Sequence, residues 1–203
     1  MIHAETEAAM RCAFSGLADI PEAEWRDFFS VVRERRYLPR QVLIREGFPA
    51  PMIHFIVSGI VRLYYTEDGC ELVRGFDMEN RWVTAYESVL TGEPAMFSAE
   101  AIEPTHTLCF DGDVLQRFYS RHPCWDRVGR RIVETQWVRH SDKDRRFRLY
   151  TPEEHYRLLI ERDAPFLNRV PLHQLASYLR ITPETLSRIR ARLRDERASV
   201  IEA

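Results

Sequence analysis

The 203-residue sequence predicts an α+β protein: an N-terminal antiparallel β-roll of the jelly-roll type, a long helix, and a C-terminal helix–turn–helix. Three observations predict this class. Short apolar and β-branched runs broken by glycine and proline fill residues 37–110. A helical pattern takes over after Pro123, and two short amphipathic segments separated by a tight break follow near the end. An apolar content of 45% is enough to form buried cores on this scale.

The first part of the chain predicts helix and then strands. Residues 5–35 are predicted to be helical because apolar side chains recur at helical spacing after Pro21. The dipeptide Asp68-Gly69 lies between two apolar runs and predicts a β-hairpin. A short helix is expected near residues 85–91. Strands are expected near 97–102 and 106–110, and many short strands at regular spacing favour a roll or sandwich.

The segment after Pro123 predicts a long helix with a narrow apolar stripe and strongly charged flanks. Helices of this kind often pair with a copy of themselves, so the stripe is predicted to form a homodimer interface. Its residues are Val128, Ile132, Thr135 and Val138. Packing of the stripe against the chain's own roll is the alternative. Gly129 in this segment would either admit a partner closely or simply weaken the helix.

Residues 172–193 predict two helices joined by a tight turn. Leu172, Leu175 and Leu179 form an apolar face on the first helix, and Ala176 is small enough to let a second helix cross closely. Arg180 occupies the turn, where glycine is usual because the backbone often adopts a positive φ there. After the turn, Thr182 can cap the second helix and Pro183 fits its first position.

In the last helix, Leu186, Ile189 and Leu193 share an inward face, which leaves a polar face outward. Arginine can bind guanine with two hydrogen bonds and glutamate can accept one from cytosine, so a polar face near a helix N-terminus suits base reading. Arg188 is predicted to contact a base, and Arg190 and Arg192 to contact phosphates. A solvated amphipathic helix is the alternative. The predicted DNA-binding set is Thr182, Glu184, Thr185, Ser187, Arg188, Arg190 and Arg192.

Charge and composition narrow the function classes. Residues 1–120 hold 11 arginines against 19 acidic residues, whereas the rest of the chain holds 18 basic residues against 12 acidic ones, which suggests a basic module that meets a polyanion. The four cysteines and seven histidines are scattered without metal-ligand spacing, so no metal, cofactor or catalytic residue is predicted. No apolar run is long enough for a membrane span, and a cytoplasmic location is expected.

The roll, the long helix and the motif "LASYLRITPETLSRIR" together resemble the CRP/FNR family of bacterial transcription regulators. The segment "FIVSGIVRLYYTEDGCE" is similar to the family's roll strands. The resemblance implies a cyclic-nucleotide-binding-like sensor domain at residues 1–122, a dimerisation helix at 123–148 and a DNA-binding domain at 149–203. It also implies a homodimer that binds a palindromic double-stranded DNA site. RNA polymerase and an unidentified small-molecule effector are further candidate partners.

Two devices of the family are missing from the sequence. No arginine lies between Arg81 and Arg117 to hold a cyclic nucleotide phosphate, and Glu87 and Glu93 would repel one. The cysteine cluster of the iron–sulfur members is absent as well. We therefore expect a regulator that does not depend on cyclic AMP. Any effector is expected to contact the stretch from Tyr86 to Phe97, with Tyr86, Glu87, Ser88 and Phe97 as candidate residues.

Two other functions stay open on the sequence. A small-molecule sensor that has lost DNA binding is favoured by Arg180 and by the short tail after the last helix, which has room for one strand at most. An enzyme of the cupin type would need metal ligands that the predicted strands do not supply. A protein that is not an enzyme is therefore expected.

Overall fold

The computed structural model describes the backbone of residues 2–201 and the side chains of residues 2–161 and 166–196. Its internal contacts divide the chain into two compact units, Met1–Trp137 and Val138–Ala203. The first unit holds two antiparallel sheets with their helices, and the second is helical. The predicted fold class is confirmed.

Two helices precede the sheets, α1 (Ala4–Ser15) and α2 (Glu22–Val31). The helical prediction for residues 5–35 is right for these segments and wrong after Val32, where the backbone becomes extended. There β1 (Arg33–Tyr37) begins and pairs along its whole length with a later strand. The sequence pattern does not reveal this strand, because four of its five residues are charged and none of them is buried.

In the part of the chain that the structure describes, eight strands form two four-stranded sheets, with orders β1-β8-β3-β6 and β2-β7-β4-β5. Asp68 and Gly69 both have positive φ, 49° and 78°, as a two-residue hairpin turn requires, so the predicted hairpin β4–β5 is confirmed. The remaining strands are β2 (Val42–Ile44), β3 (Met52–Ser58), β4 (Val61–Glu67), β5 (Cys70–Asp77), β6 (Trp82–Val83), β7 (Ser98–Ala101) and β8 (Thr105–Asp111).

Two apolar cores lie among the described residues of the first unit. One contains aliphatic residues from strands of both sheets, including Ile44, Ile56 and Val61, together with Phe97, which directly precedes β7. The other is aromatic and is built around Phe28 and Trp125, with residues from the helices and from β3 and β8. Two short helices complete the unit, α3 (Tyr86–Thr91), close to the predicted position, and α4 (Gly112–Tyr119).

The long helix α5 (Pro123–Leu149) contributes residues to both units. Val128 is only 1% exposed and packs in the aromatic core of its own unit, which corrects the expectation that it faces a partner. Ile132 is partly buried against the same core, whereas Thr135 and Val138 are exposed. Gly129 lies directly beneath the Tyr119 side chain, so its missing Cβ makes room for a residue of the same unit.

The second unit continues with α6 (Pro152–Leu167), α7 (Leu172–Tyr178) and α8 (Pro183–Ile201). Thr151 caps α6 in a capping box with Glu154. The helix α8 runs on to Ile201, so the stretch that had room for one strand at most is helical up to that residue. Among the described helices, none combines the length and the apolarity that crossing a membrane requires.

Candidate nucleic-acid interface

The turn between α7 and α8 has the backbone geometry that usually calls for glycine. Arg180 has φ of 59°, in the left-handed region. Its N–H donates to the Ser177 carbonyl at 3.0 Å, and the Ile181 N–H donates to the Ala176 carbonyl at 3.1 Å. These two bonds form a Schellman motif, which satisfies the last carbonyls of α7 and turns the chain sharply into α8.

A cation–π contact accompanies the strained arginine. The Arg180 guanidinium lies 5.0 Å from the ring centroid of Phe147, near the end of α5. Phe147 in turn packs edge-on against Tyr178 and His155, with ring centroids 5.3 and 4.8 Å away. A cation–π contact at an exposed site contributes about 0.5–1 kcal/mol, which offsets much of the roughly 1–2 kcal/mol cost of a left-handed residue.

The apolar face of α8 fixes which side of the helix faces outward. Leu186, Ile189 and Leu193 are buried, as are Leu175 and Ala176 on α7. Ala176 is fully buried at the crossing, where a small side chain lets the two helices approach closely. The predicted inward faces of both helices are therefore observed, and the opposite face of α8 lies in solvent.

Thr182 uses its side chain to begin α8. The Thr185 N–H donates to Thr182 Oγ1 at 3.3 Å, and the two threonine hydroxyls are 3.2 Å apart. Next to them, the pKa of Glu184 is lowered by hydrogen bonds with its own backbone N–H and with the Thr182 side chain, and by the positive charge of Arg188. Glu184 thus carries a negative charge at neutral pH and can only accept hydrogen bonds.

The outward face of the first two turns of α8 brings the predicted base-reading residues together. Glu184, Ser187 and Arg188 are all exposed, and Thr185 is half-buried beside them. The face therefore offers an acceptor, a hydroxyl and a guanidinium within two helical turns. These are the groups that bind the edges of bases in the major groove.

The other two predicted arginines lie in different environments. Arg190 is exposed and lines a groove of about 540 Å³, whereas Arg192 forms an ion pair with Glu153 on α6. Arg194 is a cation that the sequence prediction missed, although its spacing of four residues from Arg190 places both on one side of α8. The groove is lined by Tyr156, Ile160, Leu172, Ser187, Arg190, Ala191, Leu193 and Arg194.

The predicted effector residues of the first unit do not form one site. Ser88 is buried and its Oγ accepts the Ala50 N–H at 2.9 Å, and Phe97 is buried in the core shared by both sheets. Glu87 is exposed. Tyr86 lines a separate groove of about 470 Å³ together with Tyr119 and with residues of α5, including Trp137. Two of the four candidates therefore serve packing and backbone support.

Arg74 on β5 is a cation near this region that sequence reasoning missed. Its guanidinium lies 4.5 Å from the ring centroid of Phe97 and 5.4 Å from that of Tyr65. The pairing of β4 with β5 shifts register between Leu63 and Tyr64, opposite Arg74, and a β-bulge of this kind re-aims a side chain. The hairpin was predictable, but the bulge was not.

Metal-ligating side chains do not cluster in the described part of the chain: no group of three or more His, Cys, Asp or Glu residues there could hold an ion. The four cysteines are free thiols. Cys12 and Cys70 are exposed and Cys109 and Cys124 are buried.

Comparison with known proteins agrees with this architecture. Residues 34–122 match the family model of the cyclic nucleotide-binding domain. No curated protein matches the chain by sequence.

Several solved structures share its fold. FixK2 from Bradyrhizobium japonicum is 21% identical, with a TM-score of 0.67, covering 82% of this chain and 86% of its own. The c-di-GMP responsive global regulator CLP from Xanthomonas campestris is 19% identical with a TM-score of 0.64, covering 84% and 90%. The catabolite activator protein of Thermus thermophilus is 22% identical with a TM-score of 0.54, covering 91% and 87%.

Proposed function

We propose that this chain, which has the fold of the CRP/FNR-type regulators, is a homodimeric transcription regulator that binds specific DNA sequences without depending on cyclic AMP. The observation that carries the proposal is the outward face of α8. There Glu184, Ser187 and Arg188 lie in solvent at the start of a helix whose other face is buried against α7.

Each group on this face has a chemical role in the proposal. Arg188 donates two hydrogen bonds to a guanine edge, Glu184 accepts from cytosine, and Ser187 contacts either base. Arg190 and Arg194, on the side of the groove, contact phosphates and position the helix without reading sequence. The Thr182 side chain accepts a hydrogen bond from the Thr185 N–H, so its role is to stabilise the first turn of α8.

A second copy of the chain is part of the proposal. Trp137 and Val138 on α5 are 74% and 66% exposed, although large apolar side chains are usually buried. Val138 lies on the same stripe of α5 as Ile132 and Thr135, and this stripe is the proposed surface for a partner α5, whereas Trp137 lies on another side of the helix. A two-fold dimer presents its two α8 helices about 34 Å apart, so the expected DNA site is a palindrome with half-sites one helical turn apart.

Independence from cyclic AMP is supported by how the candidate pocket residues are used. The segment from Tyr86 to Phe97 contains no arginine, and its Ser88 hydroxyl is already bonded to the backbone of Ala50. Arg74 covers the Phe97 ring from β5. Glu87 is exposed in the same segment and would repel a phosphate bound there, so we expect no tight binding.

A sensor without DNA binding is the second candidate function. The positive φ of Arg180 favours it, because arginine is a costly residue at this turn. Against it stand the intact Schellman hydrogen bonds and the contact of Arg180 with Phe147. We therefore rank DNA binding first.

Selection of bound sites from random duplexes tests the proposal, because it reports sequence preference and half-site symmetry together. Arg188→Ala should weaken binding to the selected site by about 1–3 kcal/mol and relax the preference at one base pair of each half-site. Arg45→Ala, which removes an exposed arginine of the roll, is the matched control and should leave both unchanged. If Arg188→Ala weakens all duplexes equally, the base-reading role is wrong.

A further inference from the structure

One predicted phosphate contact is already occupied within the chain. The guanidinium of Arg192 on α8 pairs with the carboxylate of Glu153 in the first turn of α6. Arg192 lies four residues after Arg188, so it is on the same side of α8 and about 6 Å further along the helix axis. A duplex bound to Arg188 would therefore lie within reach of Arg192, if that arginine were released.

Glu153 belongs to a small network that keeps it paired after such a release. Arg157, one turn later on α6, donates to Glu153 Oε1 at 3.0 Å and to Glu196 Oε2 on α8 at 2.8 Å. The four charges of Glu153, Arg157, Arg192 and Glu196 cancel. When Arg192 leaves, the remaining three carry a net negative charge, which repels nearby phosphates.

From this geometry we infer that Glu153 restrains DNA binding by holding Arg192 away from the phosphate backbone. The inference rests on the proposed function. Both side chains of the pair are partly exposed, 57% for Arg192 and 24% for Glu153, so the contact is weak enough to exchange with solvent ions or phosphate. Since a phosphate contact carries no sequence information, the restraint acts equally on all duplexes.

The test is binding of Glu153→Gln to the selected site and to an unrelated duplex at several salt concentrations. We expect binding about 2- to 5-fold tighter to both duplexes, and a salt dependence steeper by about one unit of slope, because one more phosphate is neutralised. Glu196→Gln is the matched control. It removes the same charge from the same network, but Glu196 pairs with Arg157 rather than with Arg192. It should therefore tighten DNA binding less and leave the slope of the salt dependence unchanged.

A double variant separates the exchange of Arg192 from a general loss of repulsion. In an Arg192→Ala background, Glu153→Gln should no longer steepen the salt dependence or tighten binding beyond the effect of Glu196→Gln. A gain in the Arg192→Ala background that exceeds the effect of Glu196→Gln, or no gain in Glu153→Gln when Arg192 is present, overturns the inference. A wild-type chain that selects no site overturns the proposed function itself, which is a different outcome. Thermal unfolding of each variant confirms that the fold is kept.

Discussion

The two units of this chain use the residues of their candidate sites in opposite ways. In the first unit, Ser88, Phe97 and Arg74, near the candidate effector stretch, are engaged with the backbone, a core or aromatic rings. In the second unit the apolar side chains of α8 are buried and its Glu184, Ser187 and Arg188 remain in solvent. A residue pattern therefore predicts a binding face best where binding and packing fall on different faces of one helix.

Each unit also buries a histidine whose imidazole is neutral at pH 7. In the first unit, burial and Arg35 lower the pKa of His54 to about 4. In the second, burial and the charges of Arg146 and Lys143 lower the pKa of His155 to about 4. His155 packs against two aromatic rings and its Nε2 has no hydrogen-bond partner among the described residues, whereas His54 Nδ1 lies 3.5 Å from Thr107 Oγ1.

The largest expected effect concerns the aromatic core of the first unit. Phe28 is fully buried and contacts the rings of Phe110, Phe118 and Trp125, so Phe28→Ala should destabilise the protein by about 3–5 kcal/mol. Phe48 is 59% exposed in the same unit, so Phe48→Ala is the matched control and should cost less than about 1 kcal/mol. Urea unfolding measures both. Equal losses would mean that this core does not dominate the unit's stability.

The next effect is a loss of stability in mild acid. Both histidines have a folded pKa of about 4 and an ordinary value of 6.5, so the unfolded chain binds more protons between these values. Stability is therefore kept above pH 6.5 and falls as the pH drops towards 4, by about 2 kcal/mol per histidine at pH 5.

Two variants assign this pH dependence to its unit. His155→Gln and His54→Gln should each reduce the difference in unfolding free energy between pH 7 and pH 5. Each variant should remove the contribution of one histidine, about 2 kcal/mol. His173→Gln is the control, because His173 is exposed. If neither variant changes the slope, carboxylates rather than histidines control the acid response.

Much of the fold followed from residue patterns, for physical reasons that differ between segments. The hairpin was predictable because Asp68-Gly69 suits a turn with two positive φ values, and the capping of α6 and α8 because threonine precedes proline in both. The role of Val128 was not predictable. An apolar stripe on α5 fits a partner or the chain's own core equally well, and only the position of the aromatic cluster decides between them.

The candidate site was predictable to a similar degree. The outward position of Arg188 followed from helical periodicity, since the inward face was apolar throughout. The pairing of Arg192 with Glu153 was not predictable, because the two residues are 39 positions apart in the sequence. They meet only because α6 packs beside α8, and no local sequence pattern indicates that packing. The position of Arg74 was not predictable for a related reason: the β-bulge in the pairing of β4 with β5 changes the direction of its side chain.

The smallest expected effect decides whether the turn between α7 and α8 impairs DNA binding. Arg180→Gly relieves the strain of a φ of 59° but loses the contact with Phe147, so stability should change by less than about 1 kcal/mol. Phe147→Leu should destabilise the wild type more than it destabilises Arg180→Gly, and the difference in unfolding free energy measures the cation–π contact alone. Duplex binding by Arg180→Gly should stay within about threefold of the wild type, because the Schellman hydrogen bonds involve only the backbone. Binding that appears only when glycine replaces Arg180 would instead favour the sensor that has lost its DNA-binding activity.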